Sequence, residues 1–167
     1  MIRIIGAALL VAGFAFIGFD ASNRLKKRVK VIGGLIQALE VLSAEITYNL
    51  SPVGQAVASA ALAAGEASPF FADCKARLEK EGSSRFEECW LKSAEKLECD
   101  EGTKEIAASL AGVIGKYEAA EQAKAIEYAV SRLKKRLEEA EEERKRSSKV
   151  YMTLGVSCGI TAAIIFI

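Results

Sequence analysis

The sequence predicts an all-α protein: a six-helix cytoplasmic bundle whose two long antiparallel helices continue into N- and C-terminal transmembrane helices. Three observations predict it. Apolar residues recur at spacings of three and four along two well-separated stretches, the signature of helices packed lengthwise on a partner. Period-two alternation of β-branched residues is almost absent, which leaves little room for a sheet. The charges, 23 Lys and Arg against 22 Asp and Glu, are scarce at both ends of the chain and concentrated between them. The expected division is therefore a span over residues 1–19, a helical bundle over 20–149 and a second span over 150–167.

In chain order, Ile4 to Phe19 is apolar and follows a single charge, Arg3. A secretory signal peptide is the competing reading of such a start. Against it, no small-x-small cleavage site closes the run, which ends Phe19-Asp20-Ala21, and Arg24, Lys26, Lys27, Arg28 and Lys30 follow at once. Basic residues flanking a span are held on the cytoplasmic side. Beyond them, Leu25, Val29, Ile32, Ile36, Leu39, Leu42 and Ile46 form one apolar stripe, so the first helix is expected to run on unbroken. Gly33-Gly34 weakens it by roughly 1 kcal/mol per Gly relative to Ala. The pair is expected at a bend or a close backbone approach.

The middle of the chain is punctuated into four shorter helices. Ser51 before Pro52 reads as an N-cap with Pro at the first helical position, opening an alanine-rich helix to Ala64 that ends at Gly65. Ser68-Pro69 repeats the signal and opens a helix through Phe70, Phe71, Cys74 and Leu78 as far as Gly82. Ser84 is the expected cap of the next, in which Phe86, Trp90, Ala94 and Leu97 share a face. Thr103 is the expected cap of a fourth, fraying at Gly112 and Gly115.

The last helix, Glu118 to Ile167, begins in water and ends without charge. Ile126, Val130, Leu133, Leu137 and Ala140 make a seam of period about 3.5, matching the stripe of the first helix and pairing with it antiparallel. Glu141 with Lys145 and Glu142 with Arg146 are favourable i,i+4 pairs on a solvated face. From Val150 onward no charge remains over about 18 residues, or ~27 Å of helix, close to the ~30 Å hydrocarbon thickness. The basic group Arg144, Lys145, Arg146 and Lys149 holds the inner end of this span in the cytoplasm, as Arg24 to Lys30 does for the first. Both termini are thus expected outside. Gly155, Gly159 and Ala163 form a small-residue stripe suited to close helix packing in lipid, facing Ala8, Ala12 and Ala15 of the first span.

Composition removes most chemistry. There is no His, hence neither the commonest general base nor the commonest metal ligand. Cys74, Cys89, Cys99 and Cys158 show no CxxC spacing and read as small buried hydrophobes rather than a zinc or disulfide framework. Trp90 and Phe70-Phe71 read as core, and no Gly-rich loop follows a strand. The expectation is no enzyme, no cofactor, no metal and no small-molecule substrate. The basic segments Arg24 to Lys30 and Lys134 to Arg136 allow nucleic-acid binding, but the place of Arg24 to Lys30 beside a span favours anionic lipid heads.

The stretch Leu39-Glu40-Val41-Leu42-Ser43-Ala44-Glu45-Ile46-Thr47-Tyr48-Asn49-Leu50-Ser51-Pro52 resembles the signature L-x-x-L-x-x-E-I-x-Y-x-x-[ST]-P of the stage III sporulation protein AB family. A second block, Gly115 to Gln122, is similar to that family's L-G-x-S-D-x-x-x-Q; Gly115 and Gln122 are kept, while Tyr117 and Glu118 replace the Ser and Asp. A third, Lys149-Val150-Tyr151-Met152-Thr153-Leu154-Gly155-Val156, resembles K-x-Y-x-x-L-G-V at the entrance to the last span, through Tyr151 and Gly155.

That resemblance implies a mother-cell membrane component of a secretion-like complex joining mother cell and forespore. Its soluble part would be similar to the six-helix cytoplasmic domain of the type II secretion platform protein. The implied partners are membrane lipids, other sporulation-complex proteins and a cytoplasmic secretion-type ATPase, the AA component, with homo-oligomerisation left open. A general coiled-coil membrane tether and a membrane-anchored nucleic-acid-binding protein are the alternative classes.

Overall fold

The computed structural model describes residues 2–82 and 85–166, with the side chains of 23–82, 85–147 and 150. Among them are six α-helices and no strand: α1 Ile2–Thr47, α2 Val53–Ala63, α3 Ser68–Glu81, α4 Phe86–Glu95, α5 Glu101–Ala108 and α6 Ala119–Phe166, with a 3-10 turn at Gly65–Ala67. The chain forms two compact units, one of Met1–Lys27 with Glu139–Ile167 and one of Arg28–Glu138. The first consists of the beginning of α1 and the end of α6. Among the described residues no helix is long and apolar enough to cross a membrane. Val150 apart, the two expected spans, 1–19 and 150–167, and the stripe Gly155, Gly159 and Ala163 lie outside the residues whose side chains are described.

In the second unit, Ile32, Ile36, Leu39, Leu42 and Ile46 of the predicted stripe are buried. Val31, Leu35 and Ala38 are buried beside them, so α1 is covered over a broad face rather than along one seam. Leu25 and Val29 are only half-buried. On α6, Ile126, Ala129, Val130 and Leu133 are buried and Leu137 is half-buried; Ala140, which belongs to the first unit, is buried as well. Lys134 Nζ meets Glu40 Oε1 at 3.2 Å, and the turn before α6 returns to the end of α1, where Gly115 lies against Val53. The two long helices are therefore antiparallel in this unit.

The four shorter helices follow one another back and forth. At the end of α2, Ala64 is brought so close to α1 that a Cβ on Gly34 would stand 2.0 Å from the Ala64 carbonyl oxygen. The close approach expected at the glycine pair is thus made at Gly34, whereas a Cβ on Gly33 would meet nothing within 4 Å. α2 buries only small residues, Ala56, Val57 and Ala60, which brings it near its neighbours. Between α3 and α4, Trp90 is fully buried with Phe70, Phe71 and Phe86, its ring centre 4.8 Å from Phe70 and 5.8 Å from Phe71. The edge-on contacts with Phe70 and Phe71 suit their ring quadrupoles.

Three expected caps are corrected. Ser51 does not cap α2; Pro52 stands at the N-cap in extended conformation, and the Ser51 hydroxyl is engaged elsewhere. Ser68 is the first residue of α3 and not its cap, because the preceding 3-10 turn already has helical dihedrals at Ala67. Asp100, not Thr103, caps α5: its carboxylate accepts from the Thr103 backbone N–H at 3.2 Å and from the Thr103 hydroxyl at 2.9 Å. A carboxylate at this position also suits the helix dipole. Arg28 Nε donates to the same carboxylate at 2.9 Å, tying α5 to α1. Ser84 lies outside the described residues. The pairs Glu141–Lys145 and Glu142–Arg146 are not formed among the described residues; exposed pairs of this kind contribute only about 0.3–0.5 kcal/mol against the entropy of two long side chains.

Candidate functional site

The family-like residues converge on one end of the second unit, where α1 gives way to α2 and the α5–α6 turn comes back beside them. Leu39, Leu42 and Ile46 are buried there and seat the last turns of α1. The helix then closes with the Tyr48 and Asn49 N–H groups both directed to the Ala44 carbonyl, and the Ser51 N–H to that of Glu45. The Ser51 hydroxyl donates to the Glu45 carboxylate at 2.6 Å. Hydrogen bonds from Ser51, Asn49 and Ser59 hold the Glu45 carboxyl below the usual carboxylate range. This clamp leaves Leu50 at φ +49°, in the left-handed region that bulky residues avoid.

The second loop is clamped in the same manner. α5 ends at Ala108, and turns continue to Lys116. Gly115 has φ +77°, which a glycine adopts without penalty, and a Cβ there would press on Val53 Cγ2 at 3.2 Å. Gln122, buried in the first turn of α6, accepts from the Gly115 N–H at 2.9 Å and donates to the Tyr117 carbonyl at 2.6 Å. The glycine and glutamine of the second sequence block are thus one hydrogen-bonded device, and Glu118 stands just before the helix it opens.

Between them the two clamps hold large apolar side chains in solvent: Tyr48 is 83 % exposed, Leu50 76 % and Tyr117 56 %. Of the residues singled out by sequence, Glu45, Ile46, Tyr48, Ser51, Pro52, Gly115 and Gln122 are brought together here. Tyr151 and Gly155 lie outside the residues whose side chains are described. Sequence reasoning missed Leu50, which occupies an unspecified position of the first block. It registered Tyr117 only as a departure from the second.

Elsewhere the arrangement does not favour chemistry. Cys74 and Cys89 are buried; burial pushes the Cys74 thiol to about 12, and burial with Asp100 beside it does the same at Cys99. A thiol held protonated is a poor nucleophile. Among the described residues no three His, Cys, Asp or Glu side chains stand together to hold a metal.

Comparison with known proteins agrees with the sequence blocks. The family model for stage III sporulation protein AB matches residues 3–167. The chain belongs to the stage III sporulation protein AB family. It is 26% identical over 165 residues to the stage III sporulation protein AB of Bacillus subtilis (strain 168), covering 96% of each chain. The solved structure of a stage III sporulation protein AB (SpoIIIAB) superposes with a TM-score of 0.64 at 26% identity, covering 72% of this chain and 98% of that one. Membership of this family implies a role in stage III of sporulation.

Proposed function

We propose that this AB-family protein is a non-enzymatic membrane platform of the secretion-like complex that links mother cell and forespore, docking a cytoplasmic secretion-type ATPase, the AA component. The observation that carries the reading is the family match through residues 3–167, which takes in both apolar end segments together with the helical bundle. The two flanking basic groups support an orientation with residues 20–149 in the mother-cell cytoplasm and both termini outside. A surface of clamped loops and exposed apolar side chains suits a protein that positions a partner and leaves the chemistry to it.

Topology gives the direct test. A reporter active only in the cytoplasm, inserted near Gly82, is expected to work, and the same reporter fused after Ile167 to fail. Activity from the second position, or its loss from the first, overturns the orientation. In parallel, deleting the gene is expected to stop spore formation and leave vegetative growth unchanged; a vegetative defect instead favours a general tether.

A further inference from the structure

Three large apolar side chains stand in water where both supporting loops are held by dedicated hydrogen bonds. Single exposed apolar residues are ordinary on any protein. This group is not ordinary in its support. The Glu45–Ser51 clamp stabilises a left-handed Leu50, a conformation that bulky residues avoid, and Gln122 fixes the turn that carries Tyr117. Gly115 lies against Val53, which brings the two loops side by side. Rigid aromatic and aliphatic anchors on a preorganised backbone are what the centre of a protein interface uses.

Charge narrows the occupant. Beside Tyr117, the exposed carboxylates of Glu118 and Glu121 form no ion pair among the described residues; of the cations near them, Lys116 is bound to Glu87 and the exposed Lys124 offsets only one of the two. A surface with apolar anchors and spare carboxylates fits a partner with an apolar pocket bordered by Lys or Arg, and repels a second copy of itself. The bilayer is an unsuitable occupant, since anionic lipid heads repel spare carboxylates.

We propose that Tyr48, Leu50 and Tyr117 form the docking surface for a protein partner that offers an apolar pocket rimmed by Lys or Arg. The inference rests on the platform reading for the partner's identity, but not for the location of the surface. Tyr117 and Glu118 are the positions where this chain departs from the family-like pattern, so part of the surface is particular to this chain.

The test uses the full chain in lipid nanodiscs with the purified AA-component ATPase as probe. Leu50→Gly removes an anchor while relieving its backbone conformation, so it leaves the fold at least as stable. Tyr48→Ser with Tyr117→Ser removes the others. Each variant is expected to weaken ATPase binding at least tenfold with an unchanged thermal melt, and raising salt from 50 to 300 mM is expected to weaken binding to the unmodified chain. Leu62→Ser, an exposed residue near the other end of α2, is expected to change nothing. A photo-cross-linking amino acid at position 117 in sporulating cells adds a readout that needs no chosen probe. Cross-links to an identified protein other than this chain, mapped to an apolar pocket bordered by Lys or Arg and lost in Leu50→Gly, support the surface even if the purified ATPase fails to bind, in which case the platform's partner is wrong and its docking face is right. ATPase binding that survives all tip variants, cross-links to a second copy, or no protein cross-link at position 117 overturns the proposal.

Discussion

Two adjacent glycines show how much a single position depends on what stands opposite it. A Cβ on Gly34 would overlap the Ala64 carbonyl oxygen at 2.0 Å, and neither backbone can yield without separating α1 from α2. Gly33 faces open space on a shallow groove also lined by Lys30, Gln37 and Glu66. Gly33→Ala is therefore expected to stabilise the protein by about 0.5–1 kcal/mol through helix propensity and unfolded-state entropy. Gly34→Ala should destabilise it by about 1–3 kcal/mol or more, as overpacking does. Urea unfolding of the two variants, followed by circular dichroism, checks the opposite signs; equal effects would mean that α2 does not press on α1 at Gly34. From the sequence the two residues are indistinguishable, because a glycine pair announces a close approach without saying which member makes it.

Among the elements, α3 and α4 are stapled at their surface by one carboxylate. Asp73 accepts from Arg77 Nε at 2.7 Å, from the Ser93 hydroxyl at 2.8 Å and from Lys96 Nζ at 3.2 Å. The hydrogen bond from Arg77 is the main reason its carboxyl is held down to about 2, with Ser93 and Lys96 adding to it against partial burial. Since the folded value lies below the ordinary 3.8, the staple contributes stability above that pH, and the contribution is lost as pH falls through about 2. Asp73→Asn should lower the urea midpoint at pH 7, with the gap to the unmodified protein closing as pH drops from 4 toward 2. A gap independent of pH would point to packing instead. On the other side of α4, Trp90 Nε1 donates to the Ala107 carbonyl at 2.8 Å, satisfying one of the acceptors exposed where α5 stops. The face of Phe86, Trp90 and Ala94 was legible in advance, since periodicity is local, and all three are buried; Leu97, expected on the same face, is buried just past the end of α4 at Glu95. The caps were not: the Ser51 hydroxyl turns back to donate to Glu45, six residues earlier, and it is the Asp100 carboxylate that accepts the Thr103 N–H at the start of α5.

For the whole molecule, the open question of assembly lies with the end segments. Gly155, Gly159 and Ala163 offer a small-residue face, and Ala8, Ala12 and Ala15 a matching one. Replacing Gly159 with Leu is expected to reduce cross-linking between single cysteines placed in the two segments, after removal of Cys158, while the bundle's far-ultraviolet spectrum and melt are unchanged. Equal cross-linking with Gly and with Leu would show the stripe to be idle.

By itself the sequence determined the all-α class and the helices, because these follow from spacing within continuous stretches of chain, and the family, through three short blocks; the antiparallel pair was expected from two matching stripes and is made by contacts such as Glu40 with Lys134. Tertiary structure alone decided which glycine meets a backbone, how Gln122 reaches back to Gly115 and Tyr117, and why Leu50 is held left-handed in solvent. Those features depend on partners brought together by folding, whose distances no local period encodes.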